Sequence, residues 1–177
     1  MRKLKNSELK RISPSEFKKA KKTPIIIVLD NVRSAMNVGS IFRNADAFII
    51  EKIYLCGITA TPPNKELLKT ALGAQDTLDW EYYTDTISLI KNLQHTDSYI
   101  VAVEQTENAT RLNDFNIPRR KIVLIFGNEV FGVDQQVIDL CEECIEIPQF
   151  GTKHSLNIAV SAGIVMWELR NKRIKNY

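Results

Sequence analysis

Residues 24–48, "PIIIVLDNVRSAMNVGSIFRNADAF", decide the fold. The run 25–29 is wholly apolar and rich in β-branched residues, without the polar alternation of a half-wet strand. It predicts a strand buried on both faces, as central strands of parallel sheets are. Small and amide residues follow, and 37–48 reads as a helix whose start is marked by Asn37 and Gly39. Arg43 is the odd residue in this stretch. A cation near a helix start opposes the helix dipole, so local energetics do not explain it. Its planar fork of donors suits a phosphate or carboxylate. The competing reading is an ion pair with an acid such as Glu129.

The alternation continues along the chain. "KIYLCG" (52–57), "TLDWEYY" (77–83), "SYIVAVE" (98–104), "KIVLIFG" (121–127) and "CIEIP" (144–148) read as strands. Helices are expected at 64–73, ended by Gly73, and at 86–93, 134–141 and 155–174. The expected fold class is α/β, a mainly parallel sheet with helices on both faces. Ser13, Pro14 and Glu16 form a helix-start signature, so a short basic helix is expected over 14–22, outside the sheet or docked on a partner. The domain division is a basic N-terminal segment, 1–22, and one body, 23–177.

The composition of the 177 residues, 44% apolar and 25% charged, is that of a soluble globular chain. No run has the length of a transmembrane helix, and no apolar signal core follows the lysine-rich start, so a cytoplasmic protein without membrane contact is expected. Residues 1–22 hold nine Lys or Arg against two Glu, and 170–177 hold four and no acid, around an acidic middle. Such basic ends either grip a polyanion or merely solubilise the chain. Three cysteines suit a reducing compartment. "CEEC" (141–144) lacks the further ligands a zinc site needs, so no metal is expected.

Three segments lie where strands end, the place ligands occupy in such sheets. The first is "DNVRSAMNVGS" (30–40). The second is "GNEVFGV" (127–133), whose glycines let backbone approach a ligand; it is neither GxGxxG nor a Walker loop, which counts against an ordinary dinucleotide-binding dehydrogenase. The third is "PQFGTKHSLN" (148–157), where Ser155 is the natural N-cap of the last helix and Asn157 falls in its first turn. Ala159, Ser161, Ala162 and Gly163 then make that helix slim enough for close packing against a loop or another chain.

Together, N-x-G-x-x-x-R from Asn37 to Arg43, G-N-E-x-x-G from Gly127, and I-P-x-x-G-x-x-x-S-L-N from Ile147 resemble the SpoU (TrmH-like) family of RNA ribose 2′-O-methyltransferases, in the SPOUT superfamily. The resemblance covers about residues 24–170. It implies an α/β knot, whose C-terminal part threads a trefoil, and a homodimer with each active site completed across the interface. It implies S-adenosyl-L-methionine as cofactor, held by Gly127, by the backbone around Ile147 and Gln149, and by Leu156, with Val103 and Glu104 nearby. It implies that Arg43 is the key catalytic residue, that Asn37 supports the Arg43 loop, that Glu129 orients Arg43, and that Ser155 and Asn157 organise the pocket. The RNA it implies is tRNA, a D-loop guanosine foremost, with ribosomal RNA or a non-catalytic RNA-binding module as alternatives. Some ribosomal-RNA members carry an N-terminal RNA-binding domain where this sequence has its basic segment, so RNA grip is expected from that segment, the C-terminal tail and the dimer surface.

Overall fold

The computed structural model describes residues 1–175. Asn176 and Tyr177, part of the expected body and basic tail, lie outside the described residues. The strands are β1 (Thr23–Asp30), β2 (Ile50–Cys56), β3 (Asp79–Tyr83), β4 (Ser98–Val103), β5 (Thr110–Arg111), β6 (Lys121–Phe126) and β7 (Glu143–Glu146). They form one sheet in the order β3-β2-β1-β6-β4-β7-β5, with every ladder parallel. Strand β1 is central: Val28 is paired with Tyr54 on one side and Ile125 on the other.

Both faces are covered, which is why 25–29 has no polar alternation. Ile25, Ile27 and Leu29 share a core with residues of α2 (Ala35–Ala47), α3 (Lys65–Ala71) and α6 (Ile158–Lys175). Ile26 and Val28 share the opposite core with α4 (Thr86–Gln94) and α5 (Gln135–Ile138).

Several boundaries differ from expectation. Helix α2 starts at Ala35, because the Ser34 hydroxyl accepts the Asn37 N–H at 3.3 Å and caps it. Asn37 and Gly39 are thus inside the helix. Gly39 is small because α3 crosses there; a Cβ would stand 2.1 Å from the Leu67 carbonyl oxygen. Arg43 falls in the second half of α2, so the dipole no longer opposes it. Helix α3 ends at Ala71, with Leu72 (φ 51°) and Gly73 (φ 92°) both left-handed. The helix expected over 134–141 is the four-residue α5, and the two-residue β5 carries no apolar run to announce it.

The last helix begins at Ile158, and its cap is Asn157 rather than Ser155. The Asn157 carboxamide oxygen accepts the Ala159 N–H at 2.9 Å; Ser155 lies two residues too early, exposed in the loop. The slim stretch is used within the chain. Asn44 Nδ2 donates to the Ala159 carbonyl at 3.1 Å, and a Cβ on Gly163 would sit 3.1 Å from that nitrogen.

The basic ends are less free than their composition suggests. Helix α1 (Pro14–Lys19) has its Ser13–Glu16 capping box and stops before the expected residue 22, because Ala20 turns extended. Phe17 is 3% exposed and anchors α1 in the core, with the Lys22 ammonium over its ring at 3.4 Å. At the other end, Lys172 Nζ donates to the carbonyls of Leu112, Asn113 and Phe115. Arg173, 5% exposed, donates to the Arg120 carbonyl at 2.6 Å. These two cations tie α6 to the segment between β5 and β6.

Candidate active site

Strands β6, β4 and β7 are neighbours, so their C-terminal ends bring three distant loops together. They line a cleft of about 510 Å³ that includes Val103, Glu104, Gly127, Glu129, Ile147, Gln149, Ser155, Leu156 and Asn157. Nine of the eleven residues singled out in the sequence therefore meet at one place; Asn37 and Arg43 are not among its lining.

Each wall has a physical cause. Past β6 the chain turns back on itself through Asn128 and Gly132, which exchange backbone hydrogen bonds of 2.9 Å in both directions. Gly127 is required there: a Cβ would stand 2.1 Å from Gly132 C and 2.2 Å from Val133 N. Gly132 (φ +71°) is required twice, since its Cβ would also meet the Glu104 carboxylate at 2.3 Å. That carboxylate accepts the N–H groups of Val133 (3.0 Å) and Gln105 (2.9 Å), so Glu104 shapes the cleft as well as lining it. Two residues not singled out in the sequence matter. Gln105 Nε2 donates to the His154 carbonyl (2.8 Å) and ties down the 149–157 loop. Asn128 Nδ2 donates to the Asn31 carbonyl (2.8 Å), joining the β6 and β1 loops. The Asn of "GNE" was a visible signal for the second; nothing in the sequence marked the first.

Within the chain Glu129 is bonded to residues other than Arg43. Its carboxylate accepts the backbone N–H groups of Arg33 (2.8 Å) and Ser34 (3.0 Å) and the Asn37 side chain (3.0 Å). Asn37 in turn accepts from Asn157 Nδ2 at 3.2 Å. A chain Glu129–Asn37–Asn157 thus links the β6 loop, α2 and the start of α6. Arg43 lies two turns along α2 on its outward face with Met36 and Ser40. It is exposed, and among the described residues no hydrogen bond or ion pair engages its guanidinium.

Partial burial pushes the Glu129 carboxyl upward, but the donors from Arg33, Asn37 and Ser34 outweigh it and leave its pKa below the usual carboxylate range. A depressed folded-state pKa stabilises above the unfolded value of about 4.3 and is lost as pH falls through the folded one. Amide exchange at Arg33 and Ser34 should therefore stay protected at neutral pH and lose protection in that acid window. Glu129→Gln should remove the pH step.

Among the described residues no group of three or more His, Cys, Asp or Glu is placed to hold a metal. The cysteines are free, and the Cys141 thiol bonds the Val137 carbonyl at 3.2 Å. Burial, with Cys144 and Glu142 adding to it, pushes Cys141 up to about 12. Iodoacetamide at about pH 7.5 should leave Cys141 unmodified in the native protein and alkylate it on denaturation. Among the described residues no helix is long and apolar enough to cross a membrane.

A parallel sheet with a glycine-bent loop and a helix start closing one cleft at its strand ends is the architecture of a small-molecule-binding α/β protein. The chain belongs to the SpoU rRNA Methylase family, which matches residues 24–167. It is 27% identical, over 85% of its length, to the 23S rRNA (guanosine-2′-O-)-methyltransferase RlmB of Neisseria meningitidis, of which it covers 60%. It is 26% identical to the AdoMet-bound rRNA methyltransferase of Sinorhizobium meliloti, with a TM-score of 0.80 over 92% of this chain and 61% of that one. The A. aeolicus TrmH/SpoU tRNA modifying enzyme shares the fold, with a TM-score of 0.82 and 22% identity over 92% of this chain and 83% of that one. The chain spans about 60% of the length of RlmB relatives it matches.

Proposed function

We propose that the chain is an S-adenosyl-L-methionine-dependent RNA ribose 2′-O-methyltransferase of the cytoplasm. The observation that carries this reading is the convergence of three separated loops on one cleft, bridged by Glu129 to the helix that bears Arg43. The cleft fits the cofactor. Gly127 and Gly132 leave backbone where a Cβ would intrude, and polar groups of Gln105, Gln149 and Ser155 stand beside apolar Val103, Ile147 and Leu156. When bound there, the cofactor supplies an activated methyl group. Gly127, Ile147, Gln149 and Leu156 hold it, and Glu104 keeps the Gly132 turn in place around it. Glu129, Asn37 and Asn157 fix α2 against the cleft. Arg43 grips an RNA phosphate and stabilises the charge that develops on the 2′-oxygen as its proton leaves. Arginine stays protonated in proteins, so this role suits it better than that of general base.

The reading includes a homodimer and a C-terminal knot. Val160, Ile164 and Trp167 leave an apolar stripe exposed along α6, and Arg43 faces outward instead of into its own cleft; both fit a second copy completing the centre. The short link 104–109 carries the chain from one side of β7 to the other, past the loop that leaves β7, which supports the knot. The division into a basic segment, 1–22, and a catalytic body, 23–177, is part of the same proposal. The RNA is tRNA, with a D-loop guanosine first. Ribosomal RNA is the second reading, favoured by the RlmB relatives' names.

The test is transfer of label from methyl-labelled S-adenosylmethionine to unmodified tRNA transcripts or ribosomal RNA, followed by digestion to nucleosides. Label in a 2′-O-methylnucleoside is expected. Its appearance from ribosomal RNA alone would replace the tRNA assignment. Cofactor and RNA binding without label would leave a non-catalytic module, and no cofactor binding would overturn the reading.

A further inference from the structure

A second crevice lies at the same end of the sheet, two strands away from β1, and the chemistry above leaves it unused. It is lined by Trp80 and Tyr82 of β3 and by the 57–61 loop that follows β2. Trp80 is paired with Ile53 and Tyr82 with Leu55, so both rings stand on the sheet face that carries α2 and α3. Tyr82 is 46% exposed, and its hydroxyl donates to the Gly57 carbonyl at 3.0 Å, holding the ring against the loop. Ile58 on the rim is 66% exposed. The edge strand carries its blunting charge in Asp79 and Glu81, and Trp80 packs partly on the core, but the Tyr82 ring is left exposed beside the loop.

The crevice is joined to the active site by one buried residue. Thr59, 3% exposed, donates to the Leu29 carbonyl and accepts the Val32 N–H at 2.9 Å. Val32 is followed directly by Arg33 and Ser34, the groups that Glu129 holds. The loop that walls the crevice and the β6 loop that walls the cleft are therefore linked by hydrogen bonds through residues 29–34. Neighbouring strands are about 4.8 Å apart, so β3 lies roughly 15 Å from β6, whose end forms the cleft. That is a few nucleotides of single strand. Lys65, which follows the crevice loop in sequence, and Arg33 are exposed, and among the described residues neither forms an ion pair.

We propose that this crevice takes an unstacked nucleobase of the RNA substrate, a few residues from the nucleotide that enters the cleft. This rests on the methyltransferase reading and deepens it. Every base has a π-face, and stacking on exposed aromatics is how proteins hold splayed single-stranded bases. The substrate region is accordingly a loop or open strand on both sides of the reacting ribose, not a continuous duplex.

The test uses the full chain and a fluorescein-labelled twelve-nucleotide oligouridylate, read by anisotropy, with ultraviolet crosslinks mapped by mass spectrometry. Wild type should bind the strand and crosslink through the 80–82 peptide. Tyr82→Ala should weaken binding about tenfold, and Tyr82→Phe, which keeps the ring, should stay within about twofold. Cofactor-induced thermal shift should be the same in all three. Undiminished binding by Tyr82→Ala, crosslinks confined to other peptides, or equal binding of a twelve-base-pair duplex would each overturn the proposal. So would loss of the cofactor shift in Tyr82→Ala, which would make the ring a support of the sheet. If wild type binds the strand through Tyr82 but methylates no RNA, it is the methyltransferase reading that fails.

Discussion

Arg43→Ala should lower methyl transfer at least a thousandfold while leaving affinity for S-adenosylmethionine within about twofold. The guanidinium has no partner among the described residues, so removing it leaves no buried acid there uncompensated and no hydrogen bond broken. On the proposed reading, what is lost is charge aimed at a developing oxyanion and a clamp on the adjoining phosphate, and one such donor is worth about 10²–10³ in rate. The phosphate grip adds to this through positioning. Single-turnover rates at saturating RNA, beside cofactor binding by calorimetry, separate chemistry from folding. Arg43→Lys should recover only part of the rate, since it keeps the charge and loses the fork. Equal loss of cofactor affinity in Arg43→Ala would show that the residue supports the cleft instead.

Gly127→Ala should abolish cofactor binding, by about a hundredfold or more, and also destabilise the fold. The added methyl would meet Gly132 C at 2.1 Å, Val133 N at 2.2 Å and Gly132 O at 2.3 Å, all backbone atoms that cannot rotate away. The loop must open, carrying with it the Val133 N–H that Glu104 holds. Overpacking of this kind costs about 1–3 kcal/mol. Gly151→Ala is the matched control: its Cβ would meet nothing within 4 Å, and its φ is not in the left-handed range, so stability and binding should hardly change. Thermal melts with and without S-adenosylhomocysteine report both quantities. A Gly127→Ala protein that binds as wild type would place the cofactor away from this loop.

The strands were legible because burial on both faces leaves an unmistakable apolar run, as at 25–29 and 122–126. The glycines and amides of "GNEVFGV" and the Ser-Leu-Asn before α6 were legible as places where backbone must come close to something. What they come close to was not. Glu129 carries no sequence mark that it would clasp Arg33, Ser34 and Asn37 more than ninety residues away, and an Arg–Glu pair was the natural guess from charge alone. The helix starts are ambiguous in a similar way: Ser34 and Asn157 cap α2 and α6, where Asn37 and Ser155 are also plausible start signals, and only the path of the chain chooses between them. The tail cations read as free charge because nothing local shows that the carbonyls of 112–115 and Arg120 lie within their reach.

The strand order has a bearing on how the protein comes into being. Strand β1 is made early, yet its second neighbour, β6, begins about a hundred residues later, and the helix that Asn37 and Asn44 grasp comes later still. Contacts of such long sequence separation form slowly and late. While the chain emerges from the ribosome, the first half can hold β1, β2 and β3 together, but no cleft exists until α6 is released and docks. A product stalled or clipped before α6 would carry α2 without the contacts that Asn37 and Asn44 make at the start of that helix.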